Sequence, residues 1–421
     1  MTNEGLQPGG KIAGSKPGPL AGIRIVDMTT VVMGPYATQI LADYGADVIK
    51  IEAPGGDVLR LAAPMRNPGM GAAFLQANRN KRSVVLDVKK DKGRDALLRL
   101  AGTADVFIHN IRTAAMKRAK LGEGDLRTGN PRLIYVSLIG YGEKGPYAGR
   151  PAYDDLIQGL SGIPALHARV SGEEPRYVPL TMVDRIMGVS AAHTVLAAIV
   201  HRERGGSGQA IDVPMFETMA QLVLGDHMGG RTFEPAQGEP GYPRLLAPDR
   251  KPYKTSDGYI CVLIYNNKEW ETFFRAVGRS EQFASDLRLS DHAVRTKHYS
   301  EVYKIVADIL ATRSTAEWLA LLGEHDIPSV PLHDLNDLID DPHLKAVGFF
   351  QPMDHPSEGA IRLTGIPGRW SETPPAITAH PPRLGEHSVE VLREAGFSET
   401  EISALCADGC TLDGRAAAAK G

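Results

Sequence analysis

Two hydrophobic rhythms alternate over the first third of the chain. Ile23 to Val26 and Val48 to Ile51 are short unbroken apolar runs, and an amphipathic stretch ending at Gly45 separates them. A short continuous run marks a strand buried on both faces, and apolar positions at helical spacing mark a helix. The order strand, loop, helix, strand predicts the β-α-β opening of a nucleotide-binding fold. It closes on Glu52, where a dinucleotide unit would hold a ribose. The same alternation continues with strands at Arg82 to Val88, Asp105 to His109 and Leu133 to Leu138, and helices at Gly93 to Ala101 and Thr113 to Leu121. A mainly parallel sheet with helices on both faces follows, so the fold class is α/β and Rossmann-like.

Beyond residue 140 the pattern changes. Helices are predicted at Asp154 to Leu160 and from about Val183 to Glu203. In the second, Met187, Ala191, Val195, Leu196, Ile199 and Val200 recur at helical spacing among small residues, and Gly205–Gly206–Ser207–Gly208 ends it. The Pro- and Gly-rich stretch 233–252 reads as a linker or lid. A hairpin signal at Tyr253 to Tyr259, a strand at Ile260 to Ile264 and helices near 268–277, 299–312 and 315–324 define a smaller unit. A final helix is expected near 386–396. The expected division is a flexible tail at 1–18, a large α/β domain at 19–205 and a linker at 206–252. A small α+β domain at 253–335 and a return linker with a C-terminal helix on the large domain at 336–421 complete it.

Composition narrows the function. A net charge of −3 gives no general attraction to nucleic acid or membrane. No uninterrupted apolar stretch reaches the ~18–20 residues of a bilayer span. The first residues lack the apolar core of a secretory signal, and three cysteines, Cys261, Cys406 and Cys410, fit a reducing cytoplasm better than a disulfide framework. Between Asp27 and the first helix stands a single glycine, Gly34, so the three-glycine dinucleotide turn is missing and a nicotinamide oxidoreductase is disfavoured. Gly140 to Gly145 has P-loop glycine spacing, but Pro146 follows where a lysine is required. No metal-binding or serine-nucleophile motif is present. The basic residues Arg79, Lys81, Arg82, Lys89, Lys90 and Lys92 form either a solvated face or a phosphate clamp. Asp184, at the start of the small-residue helix, is either a helix cap or a carboxylate kept ionised for nucleophilic attack.

Several blocks occur together in order: PLAGIRIVD…GPYATQILADYGADVIKIE, Asn80–Lys81–Arg82–Ser83, ADVFIHN, NPRLIYVSLIGYGEKGP, Tyr153–Asp154, GSGQAIDVPMFE, Asp257–Gly258–Tyr259 and Leu384–Gly385–Glu386–His387. With them the chain resembles the class III CoA-transferases, the group of formyl-CoA and carnitine CoA-transferases and α-methylacyl-CoA racemases. The resemblance implies CoA and acyl-CoA as substrate, no permanently bound cofactor, and an interlocked homodimer with no nucleic-acid or membrane partner. It places the family's nucleophilic aspartate at Asp184, and Tyr153 where the racemases carry a histidine base. A phenol is a poor base at neutral pH, which favours CoA transfer over racemisation. A non-catalytic CoA-binding homologue is the other alternative. By the same resemblance Val32, Met33, Val88, Lys89, Asn110, Arg112 and Arg118 would line the CoA site. The chain reads Asn110–Ile111–Arg112–Thr113–Ala114 where the family often has Asn-Phe-Arg-Pro-Gly.

Overall fold

The apolar runs of the first third do form strands. In the computed structural model, which describes residues 18–415, β1 is Arg24–Met28, β2 Asp47–Glu52, β3 Lys81–Val85, β4 Val106–His109, β5 Ile134–Ile139 and β6 Ala210–Pro214. They build one sheet, in the order β3-β2-β1-β4-β5-β6 and parallel throughout. Such a sheet is covered on both faces, which is why its central strands are nearly unbroken in Val and Ile. The expected tail at 1–18, apart from Gly18, and the last six residues lie outside the described part.

Two differences from the sequence-based expectation have causes elsewhere in the chain. β6 falls inside the stretch expected as a linker. Its sequence, AIDVP, has too few apolar positions to announce a strand, and it needs few because it forms the sheet edge beside β5. The run Arg82 to Val88 leaves the ladder after Val85: the Asp87 N–H donates to the Cys410 carbonyl at 2.8 Å, so a C-terminal segment takes its place. That segment carries helices Ser388–Glu394 and Glu399–Ala407. Val391, Leu392, Ile402 and Leu405 complete the core over Val26, Ile49, Leu97 and Phe107.

The chain divides into two compact units. One holds the described residues up to Ser161, Val178–Ala220 and those from Leu344 on. The other holds Gly162–Tyr177 and Gln221–His343. Within the larger unit, helix Met33–Asp43 packs against helix Met182–Glu203. The approach is close enough that a Cβ on Gly188 would stand 2.7 Å from Cδ1 of Tyr36 and 3.0 Å from the Met33 carbonyl oxygen. Helix Met182–Glu203 is long and apolar enough, by length and composition alone, to cross a membrane. Here its Val183, Met187, Ala191 and Val195 face is buried in the unit's interior. The smaller unit has a three-stranded antiparallel sheet, β7 Tyr253–Lys254, β8 Tyr259–Val262 and β9 Ser329–Pro331. Helices Asn267–Ala276, Tyr299–Leu310 and Thr315–Glu324 cover a core of Trp270, Phe273, Phe274 and Trp318. In the larger unit, β10 Phe350–His355 and β11 Gly359–Thr364 form a hairpin.

Candidate active site

The order of the sheet reverses between β1 and β4, and the crevice outside the carboxyl ends of such a pair is where open α/β sheets bind ligands. The loop leaving β1 is fixed there by buried ions. Asp27, fully buried, accepts from the Thr29 N–H at 2.9 Å and the Thr38 hydroxyl at 2.6 Å, and pairs with Lys81 at 3.3 Å. Lys50, equally buried, donates to the Thr29 carbonyl and to Asp57, both at 2.9 Å. Burial opposes the charge on Lys50, but Asp57, Asp27 and Glu52 outweigh it and raise its pKa. Asp57 in turn accepts from the Val31 N–H at 3.2 Å. Val31 has φ +70°, a left-handed conformation that a β-branched residue adopts only when its surroundings impose it.

Gly34, the one glycine of this turn, is required for contact rather than for a pyrophosphate. A Cβ there would stand 2.2 Å from Cβ of Thr29. Glu52 is taken by Arg60, with two contacts of 2.7 Å; burial alone would raise its pKa, but Arg60, Lys50 and Ser83 bring it to about 2. The basic run is neither a solvated face nor a clamp over its first half. Arg79 pairs with Asp43, Lys81 with Asp27, and Arg82 with Asp47 and Glu394.

A cavity of about 460 Å³ opens beside this loop. Met33, Asn110, Arg112, Tyr153 and Asp184 all line it, so residues far apart in sequence meet at one place. Val32, Val88, Lys89 and Arg118 do not line it. Val32 is the buried residue preceding the first helix, and Val88 and Lys89 follow β3 at the sheet edge. Thr30, Val31, Glu143 and Arg150, all on loops, and Met215, the first residue of helix Met215–His227, also contribute and were not singled out from sequence; loop residues carry no periodicity to mark them. Asn110 is engaged with the first loop: its side chain accepts from the Thr30 N–H at 3.0 Å and donates to the Thr30 carbonyl at 2.8 Å. Arg112 and Arg150 are exposed and form no ion pair among the described residues.

Asp184 is the third residue of its helix, after Thr181 at the cap position, and so is not a helix cap. Its carboxylate has no hydrogen-bond or ion-pair partner among the described residues. Its pKa is raised to about 6, first by burial and then by Asp154, against a smaller pull from Arg185. The shift runs against the pull of the helix end, which favours the anion. Arg185 itself stacks over the Tyr36 ring, 4.6 Å from its centroid.

Asp154 holds the start of the Asp184 helix: one oxygen accepts from the Asp184 N–H at 2.9 Å, the other from Gln158 at 2.6 Å. Gln158 accepts from the Val178 N–H at 2.9 Å, which fixes the segment entering the helix. Tyr153 precedes Asp154 with 68% of its surface exposed, and its hydroxyl has no partner among the described residues.

A parallel sheet in Rossmann order thus carries, beside its switch point, a carboxylate without a partner and two arginines outside any ion pair among the described residues. Residues 20–388 match CoA-transferase family III, and the chain belongs to that family. It is 33% identical over 392 residues to succinyl-CoA:mesaconate CoA-transferase of Haloarcula hispanica, covering 90% of this chain and 97% of that protein. It is 30% identical to succinyl-CoA:glutarate CoA-transferase of Mus musculus, covering 93% and 90%. The crystal structure of Rv3272 from Mycobacterium tuberculosis, a probable fatty acyl-CoA transferase, superposes with a TM-score of 0.76 at 30% identity, over 89% of this chain and 99% of that one.

Proposed function

We propose that the chain transfers CoA from an acyl-CoA thioester to a carboxylic acid, with Asp184 as covalent nucleophile. What carries the reading is the state of that carboxylate: on the cavity wall, without a partner, and half desolvated beside Asp154. An Asp184 oxygen attacks the thioester carbonyl, the C–S bond breaks, and CoA leaves as thiolate from an aspartyl–acyl anhydride. The thiolate attacks the Asp184 carbonyl and expels the first acid as its carboxylate, leaving an aspartyl-CoA thioester. The acceptor carboxylate attacks that thioester and the steps reverse. No proton moves over the cycle, so neither a base nor a triad is required, and no histidine lines the cavity among the described residues. The site's contribution is an ionised nucleophile, orientation and exclusion of water from two hydrolysable intermediates.

The names of the relatives support short dicarboxylates such as succinate, glutarate or mesaconate as the exchanged acids. Arg150 is the cation for a distal carboxylate. Arg112, with Lys89 and Arg118 farther along, faces the CoA phosphates. Met33 supplies an apolar wall with Val32 and Val88 behind the lining, Asn110 holds the first loop through Thr30, and Tyr153 offers its free hydroxyl to the reacting carbonyl. The working assembly is an interlocked homodimer of such chains.

The test supplies succinyl-CoA, or a long-chain acyl-CoA, with glutarate or mesaconate and then quenches with hydroxylamine. Mass spectrometry should find a hydroxamate at Asp184, and Asp184→Ala should abolish exchange. Unchanged exchange in Asp184→Ala, with no adduct from any donor, would sink the relay.

A further inference from the structure

Within the smaller unit a cavity of about 740 Å³ adjoins one of about 240 Å³, and the two share walls at Arg244, Trp270 and Tyr303. Neither is lined by any aspartate or glutamate, although the chain as a whole is slightly acidic. Arg244 is fixed through one atom. Its Nε donates to the Tyr303 hydroxyl at 3.2 Å, and its guanidinium lies 5.2 Å from the centroid of Tyr265. Both of its terminal nitrogens are without hydrogen-bond or ion-pair partners among the described residues, so the fork that recognises carboxylates is open.

Deeper in the same wall, Arg295 is 2% exposed and stacks over Trp270, 4.8 Å from its centroid. It donates to Asn267 at 2.9 Å and to the Leu289 carbonyl, while its Nε is buried without a partner. No carboxylate pairs with it among the described residues. A buried cation without a counter-charge is costly, and burial accordingly pushes the Arg295 pKa down. The rings of Tyr242, Tyr265 and Tyr299 supply flat apolar walls around these two cations.

We infer that this cavity binds a planar organic carboxylate, an aromatic or conjugated acid, with its carboxylate on the open fork of Arg244 and its flat body against the tyrosine rings. Arg295 supplies the positive potential behind it. A bare oxyanion would leave the rings unused, and a neutral aromatic would leave both cations unpaired. None of these residues lines the Asp184 cavity, and binding here does not depend on the transfer reaction.

Isothermal titration of the full-length protein with benzoate should give saturable binding of one molecule per chain, with inorganic phosphate and acetate far weaker. Arg244→Gln and Arg244→Ala should each weaken benzoate by about tenfold or more, the loss of a charge-assisted pair, with circular dichroism unchanged. Asp184→Ala should bind benzoate as the wild type does. The inference is overturned by an absence of saturable heat, by phosphate binding as tightly as benzoate, or by a loss in Asp184→Ala instead of the Arg244 variants.

Discussion

At the scale of single residues, the proposed relay turns on the ionisation of Asp184. Its pKa of about 6 lies above the ordinary 3.8 because burial and Asp154 both disfavour the charged form. Activity should therefore fall as pH drops through about 6, seen as an acid limb in kcat/KM. Asp154→Asn removes the neighbouring charge while an amide oxygen can still accept from the Asp184 N–H. That limb should then move to lower pH, and a limb that stays in place would assign it to another group. The same shift has a consequence for stability. A carboxyl group whose pKa is higher folded than unfolded stabilises the fold fully below the unfolded value, and that contribution is lost as pH rises through the folded value. Asp184→Asn mimics the neutral form at every pH. It should be more stable than the wild type above about pH 6, by about 2 kcal/mol, with the difference closing below about pH 4. Equal denaturation midpoints at pH 8 would refute this. A carboxylate kept on the pocket wall at a cost to stability is what an exchange of stability for function would look like.

At the scale of elements, helix Met182–Glu203 delivers Asp184 to the cavity by packing on helix Met33–Asp43, and Gly188 sets how close the two come. Gly188→Ala places a methyl group against Tyr36 and the Met33 carbonyl. It should cost about 1–3 kcal/mol of overpacking, read by urea denaturation, and lower kcat through displacement of Asp184 and Met33 together; wild-type stability would show that the helices separate freely. The same packing explains which elements were legible in advance. The β-α-β alternation was visible because central strands and core helices must be apolar at fixed periods. β6, at the sheet edge, and the end of β3, displaced by the Cys410 segment, obey contacts made far away in sequence. Asp184, Tyr153, Met33, Asn110 and Arg112 were legible through the resemblance and converge on one cavity. Val31, Glu143 and Arg150 were not, since a left-handed valine or a loop arginine gains its meaning from the buried Lys50–Asp57 pair and the strand ends around it.

At the scale of the whole molecule, the described surface leaves several large apolar side chains exposed. In the smaller unit Val330, Leu332, Leu335, Leu338 and Ile339 are all exposed, Leu335 by 78%, so helix Leu335–Asp340 has no buried face. Leu222 and Leu224 on helix Met215–His227 are exposed as well. We propose that these side chains belong to a homodimer interface, since obligate homodimers bury well over ~2,000 Å² of largely apolar surface. Light scattering should therefore return twice the chain mass of 45.4 kDa. Interlocking makes a stronger demand than dimerisation. Two threaded chains cannot part while folded, so dilution should release no monomer, and dissociation should coincide with unfolding in urea. Mixing two differently labelled preparations in native buffer should give no mixed dimers, whereas mixing after unfolding and refolding should give them. Exchange of subunits between folded dimers would leave the dimer standing and exclude the threading. A monomer at micromolar concentration would remove both, and would leave the exposed leucines of helix Leu335–Asp340 to be covered by some other protein.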